Sequence, residues 1–323
     1  MKAAWLEAFG GPDDVKIREL PTPVPTADEV LIQVHASAVN FPDLLVMNNG
    51  YQLSAEPPFT PGSEFAGVVV SVGDAVTGFD VGDRVAGSAF VGAFAEQVCA
   101  PVGRIRAAPP ELDWIHAAAF GATGTTAYHS LVTVGKMKPG DVVVVLGAAG
   151  GVGSAAVGMA RLMGAHVVGV VSSPAKARFV TEQGAHDVID YRAEDLREQL
   201  RTLFPSGVEL VIDPVGGSCS ISALRALRRG GSFVVVGFAS GAVPQLPLNL
   251  VLVKGLHVTG VDVRTLRELE PQVIADGLAG MGDLMRRGWR PAIDLVVPLE
   301  RVSEALARVA DGQAMGKVVV TVA

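Results

Sequence analysis

An uncharged run of nineteen residues, Val142 to Ala160, bracketed by Asp141 and Arg161, constrains this 323-residue chain more than any other feature. It opens on "VVVVL", breaks at Gly147 and restarts on small residues as "AAGGVGSAA". The length reaches the threshold for a membrane span, but five glycines fall inside the run and its first half is pure β-former. A strand to Leu146, a glycine turn and a helix starting near Gly151 suit the same letters better. In that arrangement Gly150 lets the backbone approach a pyrophosphate, and Gly153 lets the helix pack against the strand. The helix N-terminus then offers unpaired N–H groups to the anion, with Ala149, Gly151 and Val152 completing the cradle. Alanine replaces the first glycine of the usual G-x-G-x-x-G pattern here, as Ala148-Ala149-Gly150-Gly151-Val152-Gly153.

The surroundings of this turn give it a context. Residues 1–122 read as short alternating or β-branched runs punctuated by Gly-Pro and Gly-Asp signals, the pattern of a turn-rich β domain. From residue 123 the strands become continuous and apolar ("AHVVGVVS", "HDVIDY", "VELVID", "GSFVVVGF", "GLHVTGVDV"), separated by segments of helical length. One further helical stretch spans 265–288. Buried strands alternating with helices predict a doubly wound parallel α/β sheet. The expected division is 1–122 plus 290–323 for a catalytic and substrate domain, and 123–289 for a dinucleotide-binding domain. The final strand, in "GKVVVTVA", is expected to return to the first domain.

Composition narrows the function classes. The net charge is −7 with no basic tail or stripe, which argues against tracking a nucleic-acid backbone. Two cysteines, Cys99 and Cys219, cannot form a disulfide framework and are expected to be buried small hydrophobes. Glu7 interrupts the N-terminus before any signal-peptide core, so a reducing, cytoplasmic setting is expected.

The residues after the second strand choose the nucleotide. An NAD site places a carboxylate there for the ribose 2′-OH; this chain has "VVSSPAKAR", with Ser172, Ser173 and Lys176 and no acid. Hydroxyls and a cation accept a 2′-phosphate that a carboxylate would repel. Ser173 reads as an N-cap ahead of Pro174, and Tyr191 closes the next strand. NADPH is the expected cofactor. His116 and His129 lack a partner at any catalytic spacing and are expected to be structural, and no nucleophile elbow or carboxylate pair suggests hydrolysis.

With "VNFPD" at 39–43, "PGSEFAG" at 61–67, "GDRVAG" at 82–87, "GATGTTAYHSL" at 121–131, "GAAGGVG" at 147–153 and "VIDYRAEDL" at 188–196, the chain resembles the medium-chain dehydrogenase/reductase superfamily. Within it, the zinc-independent quinone oxidoreductases are the similar branch. The resemblance covers essentially the whole chain and implies a Rossmann domain inserted into a GroES-like β-rich domain. Zinc-dependent relatives carry a cysteine near the position of Asn40 and a histidine before the motif glutamate. Ser63 stands before Glu64 here, and the cysteine-rich lobe is missing, so no metal is expected.

The resemblance further implies that Asn40, in a loop region shared with Asp43 and Tyr51, lies beside nicotinamide and substrate as candidate catalytic residues. Thr126, Phe238, Ser240 and Lys317 are implied on the cofactor side. Without a Lewis acid, hydride addition to a quinone or α,β-unsaturated carbonyl is the favoured chemistry, since its delocalised anion can be met by hydrogen-bond donors. A 2-enoyl thioester reductase is the alternative enzyme, and an NADPH-binding structural or nucleic-acid-binding protein the alternative of another class. A small-molecule substrate and a homodimer complete the expected partners, with neither nucleic acid nor membrane.

Overall fold

In the computed structural model, which describes residues 1–322, two units emerge: Met1–Ala122 together with the segment from Ile293 on, and Thr123–Ala292. The first unit begins with a ribbon of β1 (Lys2–Trp5) and β2 (Lys16–Glu19), antiparallel to one another. Its main sheet uses β3 (Glu29–Val39), β4 (Glu64–Val72), β5 (Arg84–Ser88), β6 (Gln97–Pro101) and the short β7 (Ile105–Ala107). Two helices accompany them, α1 (Phe41–Met47) and α2 (Trp114–Ala119).

The second unit opens with α3 (Gly121–Tyr128), whose first two residues still belong to the first, and continues into a π-helical turn over His129–Val134. Strands and helices then alternate: β8 (Val142–Leu146), α4 (Gly151–Leu162), β9 (His166–Val171), α5 (Pro174–Glu182), β10 (Asp187–Asp190) and α6 (Leu196–Leu203). They are followed by β11 (Val208–Asp213), α7 (Ser218–Ala226), β12 (Leu227–Val235), α8 (Leu248–Lys254) and β13 (His257–Gly260). Helices α9 (Val263–Leu269) and α10 (Pro271–Arg286) close this unit, and β14 (Ile293–Pro298), α11 (Val302–Ala310) and β15 (Lys317–Thr321) complete the first.

Six parallel strands in the order β10-β9-β8-β11-β12-β13 form the second unit's sheet. The order reverses between β8 and β11, which puts the glycine turn at the topological switch point, where such sheets bind ligands. Its strands are apolar on both faces: Val143, Val144, Val145, Val167 and Val168 are fully buried. The uncharged run therefore divides into β8, a turn and α4, and no helix among the described residues is long and apolar enough to cross a membrane.

In the first unit the sheet runs β14-β15-β3-β4-β5-β7, with β6 also pairing β3. Strand β15 lies antiparallel to β3, Val318 opposite Val39 and Val320 opposite Ser37, so the chain's end supplies an interior strand. Ile32, Val34, Phe65, Phe94 and Val320 centre this unit's core.

Three expectations need correction. The second unit extends to Ala292, because Trp289 is buried where side chains on Gly124 or Gly158 would stand, and Arg290 Nη1 donates to Met285 O and Trp289 O, each at 2.7 Å. The helical stretch at 265–288 is two helices, since Pro271 disfavours a helical Glu270, which sits at φ −133° and ψ 59°. Cys99 and Cys219 are half-buried rather than buried. Burial still raises both thiols, Cys99 to about 11, so neither is a poised thiolate.

Candidate active site

The glycine turn in the second unit is shaped by what its residues exclude. A Cβ on Gly153 would stand 2.2 Å from Gly147 O and 2.8 Å from Ala148 Cα, so this position must be bare for α4 to pack on the turn. Gly147 has φ +57°, and a Cβ there would strike Val215 Cγ2 at 2.5 Å. Gly150 differs: its backbone is extended, and a Cβ would meet only Gly147 O, at 3.5 Å. Its open side is the approach to the first turn of α4, where the N–H groups of Gly151, Val152 and Gly153 have no acceptor within the helix. Ala149 is buried beneath this turn.

At the exit of β9, Ser173 caps α5, its Oγ accepting from Lys176 N at 3.3 Å, with Pro174 at the first helical position. The Lys176 ammonium folds back onto Ser172 Oγ at 3.4 Å, gathering two hydroxyls and a cation at one strand end. Tyr191 follows β10 directly and is 38% exposed. Beyond β12, Phe238 lines a groove of about 490 Å3 with Val134, Gly237, Gly260 and Asp262, while Ser240 N donates to Val215 O at 2.9 Å. Asp213, buried at the end of β11, fixes that neighbouring loop by accepting from Val215 N, Gly216 N and Ser220 Oγ. Thr126 is half-buried in α3, its carbonyl accepting from Ser130 Oγ.

The first unit holds a separate, buried polar cluster. Lys317 Nζ donates to Val39 O at 3.2 Å, to Asn40 Oδ1 at 2.6 Å and to Glu64 Oε2 at 3.2 Å. Asn40 Nδ2 donates to Ala38 O at 3.3 Å and to Glu64 Oε2 at 3.0 Å, while Glu64 Oε1 accepts from Ala122 N at 2.7 Å. Each ammonium proton and each amide proton therefore has an acceptor, as burial requires. Lys317, placed on the cofactor side by resemblance, is spent inside this cluster and has no proton left for a nucleotide. Asn40 likewise presents no donor of its own.

Asp43 stands beside the cluster as the N-terminal clamp of α1. Its Oδ2 accepts from Asn40 N at 2.8 Å and its Oδ1 from Ser63 Oγ at 2.6 Å. Burial pushes the Asp43 carboxyl up to about 6, against the pull of Ser63, Asn40 and the Lys317 ammonium. Tyr51 is half-buried with its ring packed on the first unit's core, and among the described residues its hydroxyl has no partner. The histidines do structural work: His129 Nδ1 pairs with Thr133 Oγ1 and His116 Nδ1 with Asp113, both at 2.8 Å. Reasoning from sequence missed Ser63, Glu64 and Asp213 as site-shaping residues. Glu64 carried a signal, as the one acid in "PGSEFAG", flanked by a glycine and a β run.

A doubly wound unit with this turn, inserted between segments of a β-rich unit, defines a medium-chain dehydrogenase/reductase. Residues 26–136 match the family described as "Alcohol dehydrogenase GroES-like domain", and residues 151–276 match "Zinc-binding dehydrogenase". Human quinone oxidoreductase is 33% identical over 325 residues, covering 99% of this chain and 97% of that protein. The Escherichia coli quinone oxidoreductase solved in complex with NADPH superposes with a TM-score of 0.91 at 27% identity, over 99% of this chain and 100% of that one. A mycobacterial protein, also solved with NADPH, gives a TM-score of 0.91 at 30% identity and covers 99% of both chains. The chain belongs to the quinone oxidoreductase branch of that superfamily and is a quinone-oxidoreductase-like enzyme.

The zinc ion that one family name implies does not suit the residues present. By the resemblance, Asn40 and Ser63 stand where zinc-dependent relatives carry a cysteine and a histidine, and the Lys317 ammonium pairs with the Glu64 carboxylate. Among the described residues no group of three or more His, Cys, Asp or Glu is placed to hold a metal.

Proposed function

We propose that the chain is an NADPH-dependent, zinc-independent reductase of quinones or α,β-unsaturated carbonyls, working as a cytoplasmic homodimer. The β9 exit carries this reading: Ser172, Ser173 and Lys176 gather where a carboxylate would select NAD. Gly150 and the first turn of α4 fit the pyrophosphate, because no side chain borders that approach. When bound, the reduced nicotinamide supplies the hydride.

The chain's own residues hold and shape. Lys176, Ser172 and Ser173 bind the 2′-phosphate, Tyr191 borders the adenosine end, and Phe238 forms part of the wall of the strand-end groove, with Ser240 in the loop that follows it. The Asn40–Glu64–Lys317 cluster supplies a rigid, neutral floor to its own unit, with Asp43 as the positioning residue that fixes the turn into α1. The Tyr51 hydroxyl, unpartnered among the described residues, donates a hydrogen bond to the acceptor oxygen as negative charge develops there. Two free cysteines accord with a reducing compartment.

The test is an oxidation panel with small quinones, enones and enoyl thioesters, run with NADPH and NADH on wild type and Lys176→Ala. Turnover of the first two classes is expected. The variant should bind NADPH about ten- to a hundredfold more weakly, the worth of a charge-assisted hydrogen bond, with NADH little changed. Equal loss for both nucleotides would remove Lys176 from the 2′-phosphate site.

A further inference from the structure

At the end of the parallel sheet opposite the glycine turn, where β11 and β12 begin and α6, α7 and α8 end, the second unit has another concavity. It encloses about 410 Å3, and its wall includes six cations, Arg197, Arg201, Arg225, Arg228, Arg229 and Lys254, with no carboxylate. Six of the chain's 26 lysines and arginines thus surround one cavity of a protein whose net charge is −7.

Part of this gathering has a structural cause. Lys254 Nζ donates to Arg225 O and Leu227 O, each at 2.7 Å, and Arg229 Nη1 to Val253 O at 3.0 Å, so both satisfy carbonyls at helix ends. Arg201 pairs with Glu198 at 2.5 Å and Arg228 with Glu209 at 2.8 Å. Arg197 and Arg225 remain. Both are exposed, and among the described residues neither side chain has a hydrogen bond or ion pair. Arg197 even sits in the first turn of α6, the wrong end of the helix dipole for a cation. Burial, with Arg197 and Arg225 near it, holds the Lys254 ammonium below the usual lysine range. Among the described residues no acid pairs with Arg197, Arg225 or Lys254, so these three like charges crowd without a counter-ion.

We propose that this cavity binds an oligophosphate, a ligand with two or more linked phosphates, at a site separate from the cofactor cradle. Guanidinium groups grip phosphate oxygens through paired N–H bonds, and two unpaired arginines flanking an ammonium call for more than one anionic centre. Phe204 and Pro205 add an apolar side to the cavity, so the test includes a nucleotide beside a free oligophosphate.

Calorimetric titration of tripolyphosphate, and separately of ATP, into full-length protein saturated with NADPH tests this. One site per chain is expected, weakening as salt is added. Arg197→Ala/Arg225→Ala should lower the affinity at least tenfold while leaving NADPH binding and turnover unchanged. Lys176→Ala, which alters the cofactor cradle, should leave tripolyphosphate binding intact with or without NADPH. Tripolyphosphate bound more tightly than ATP assigns a free oligophosphate; ATP bound at least as tightly assigns a nucleotide. No heat from either ligand, or heat that survives the double substitution, overturns the proposal.

Discussion

Lys317 reaches Asn40 across 277 positions of sequence and Glu64 across 253, and both contacts are buried. A buried ion pair adds little net stability, yet removing one partner strands the other charge. Lys317→Met should therefore cost about 3–5 kcal/mol in urea unfolding, and Lys317→Met/Glu64→Gln should recover much of that loss. Simple additivity of the two single substitutions would mean that the pair is not coupled. The Asp43 carboxyl makes stability depend on pH. Its folded value near 6 lies above the ordinary carboxylate value, so the folded chain retains a proton that the unfolded chain has released between about pH 4 and pH 6. Stability should fall as pH rises through that window, by up to about 3 kcal/mol from this residue. Asp43→Asn removes the carboxyl's titration, so the difference between variant and wild-type stabilities across that window should show the slope. A difference independent of pH would show that burial does not raise this carboxyl.

The strand, glycine turn and helix at 142–162 were legible because their information is local. β-Branched letters make the strand, glycines allow the turn, and small residues let the helix approach. The two glycines nevertheless differ in kind, which the letters alone do not reveal. Gly153→Ala drives a Cβ into backbone at 2.2 Å and should destabilise the protein by about 1–3 kcal/mol, as overpacking does. Gly150→Ala meets only Gly147 O at 3.5 Å, so stability should change by about 1 kcal/mol or less while NADPH binding falls at least tenfold. Thermal unfolding beside nucleotide titration separates the two, and equal effects from both would deny that Gly150 faces the ligand. The polar cluster was only half legible. Asn40 and Asp43 lie in one motif, but the Lys317 contacts depend on β15 returning beside β3, a pairing that no local pattern encodes. The π-helical turn after α3 and the three-residue β7 carry no periodicity long enough to read.

At the scale of the whole molecule, the second unit's sheet ends on β13, whose outer edge has no strand partner among the described residues. β13 pairs only with β12, and all four of its residues are exposed, with Val258 at 37%. An uncovered edge of this kind is a template for pairing with another chain. Four residues alone supply far less than the roughly 800 Å2 per partner that a standard interface buries. The exposed apolar side chains of α8, Leu248 at 76%, Leu252 at 82% and Val253 at 68%, are the surface that must join it. Leu248 and Leu252 share one stripe at helical spacing and leave an exposed apolar patch on the helix. The proposed homodimer therefore uses β13 and α8 together, and light scattering at micromolar concentration should give twice the chain mass. Val258→Lys places a charge on the open edge and should yield monomers whose parallel-sheet circular dichroism is unchanged, because that strand's pairing with β12 needs no partner. A wild-type monomer, or a Val258→Lys variant that remains dimeric, would exclude this edge as the interface.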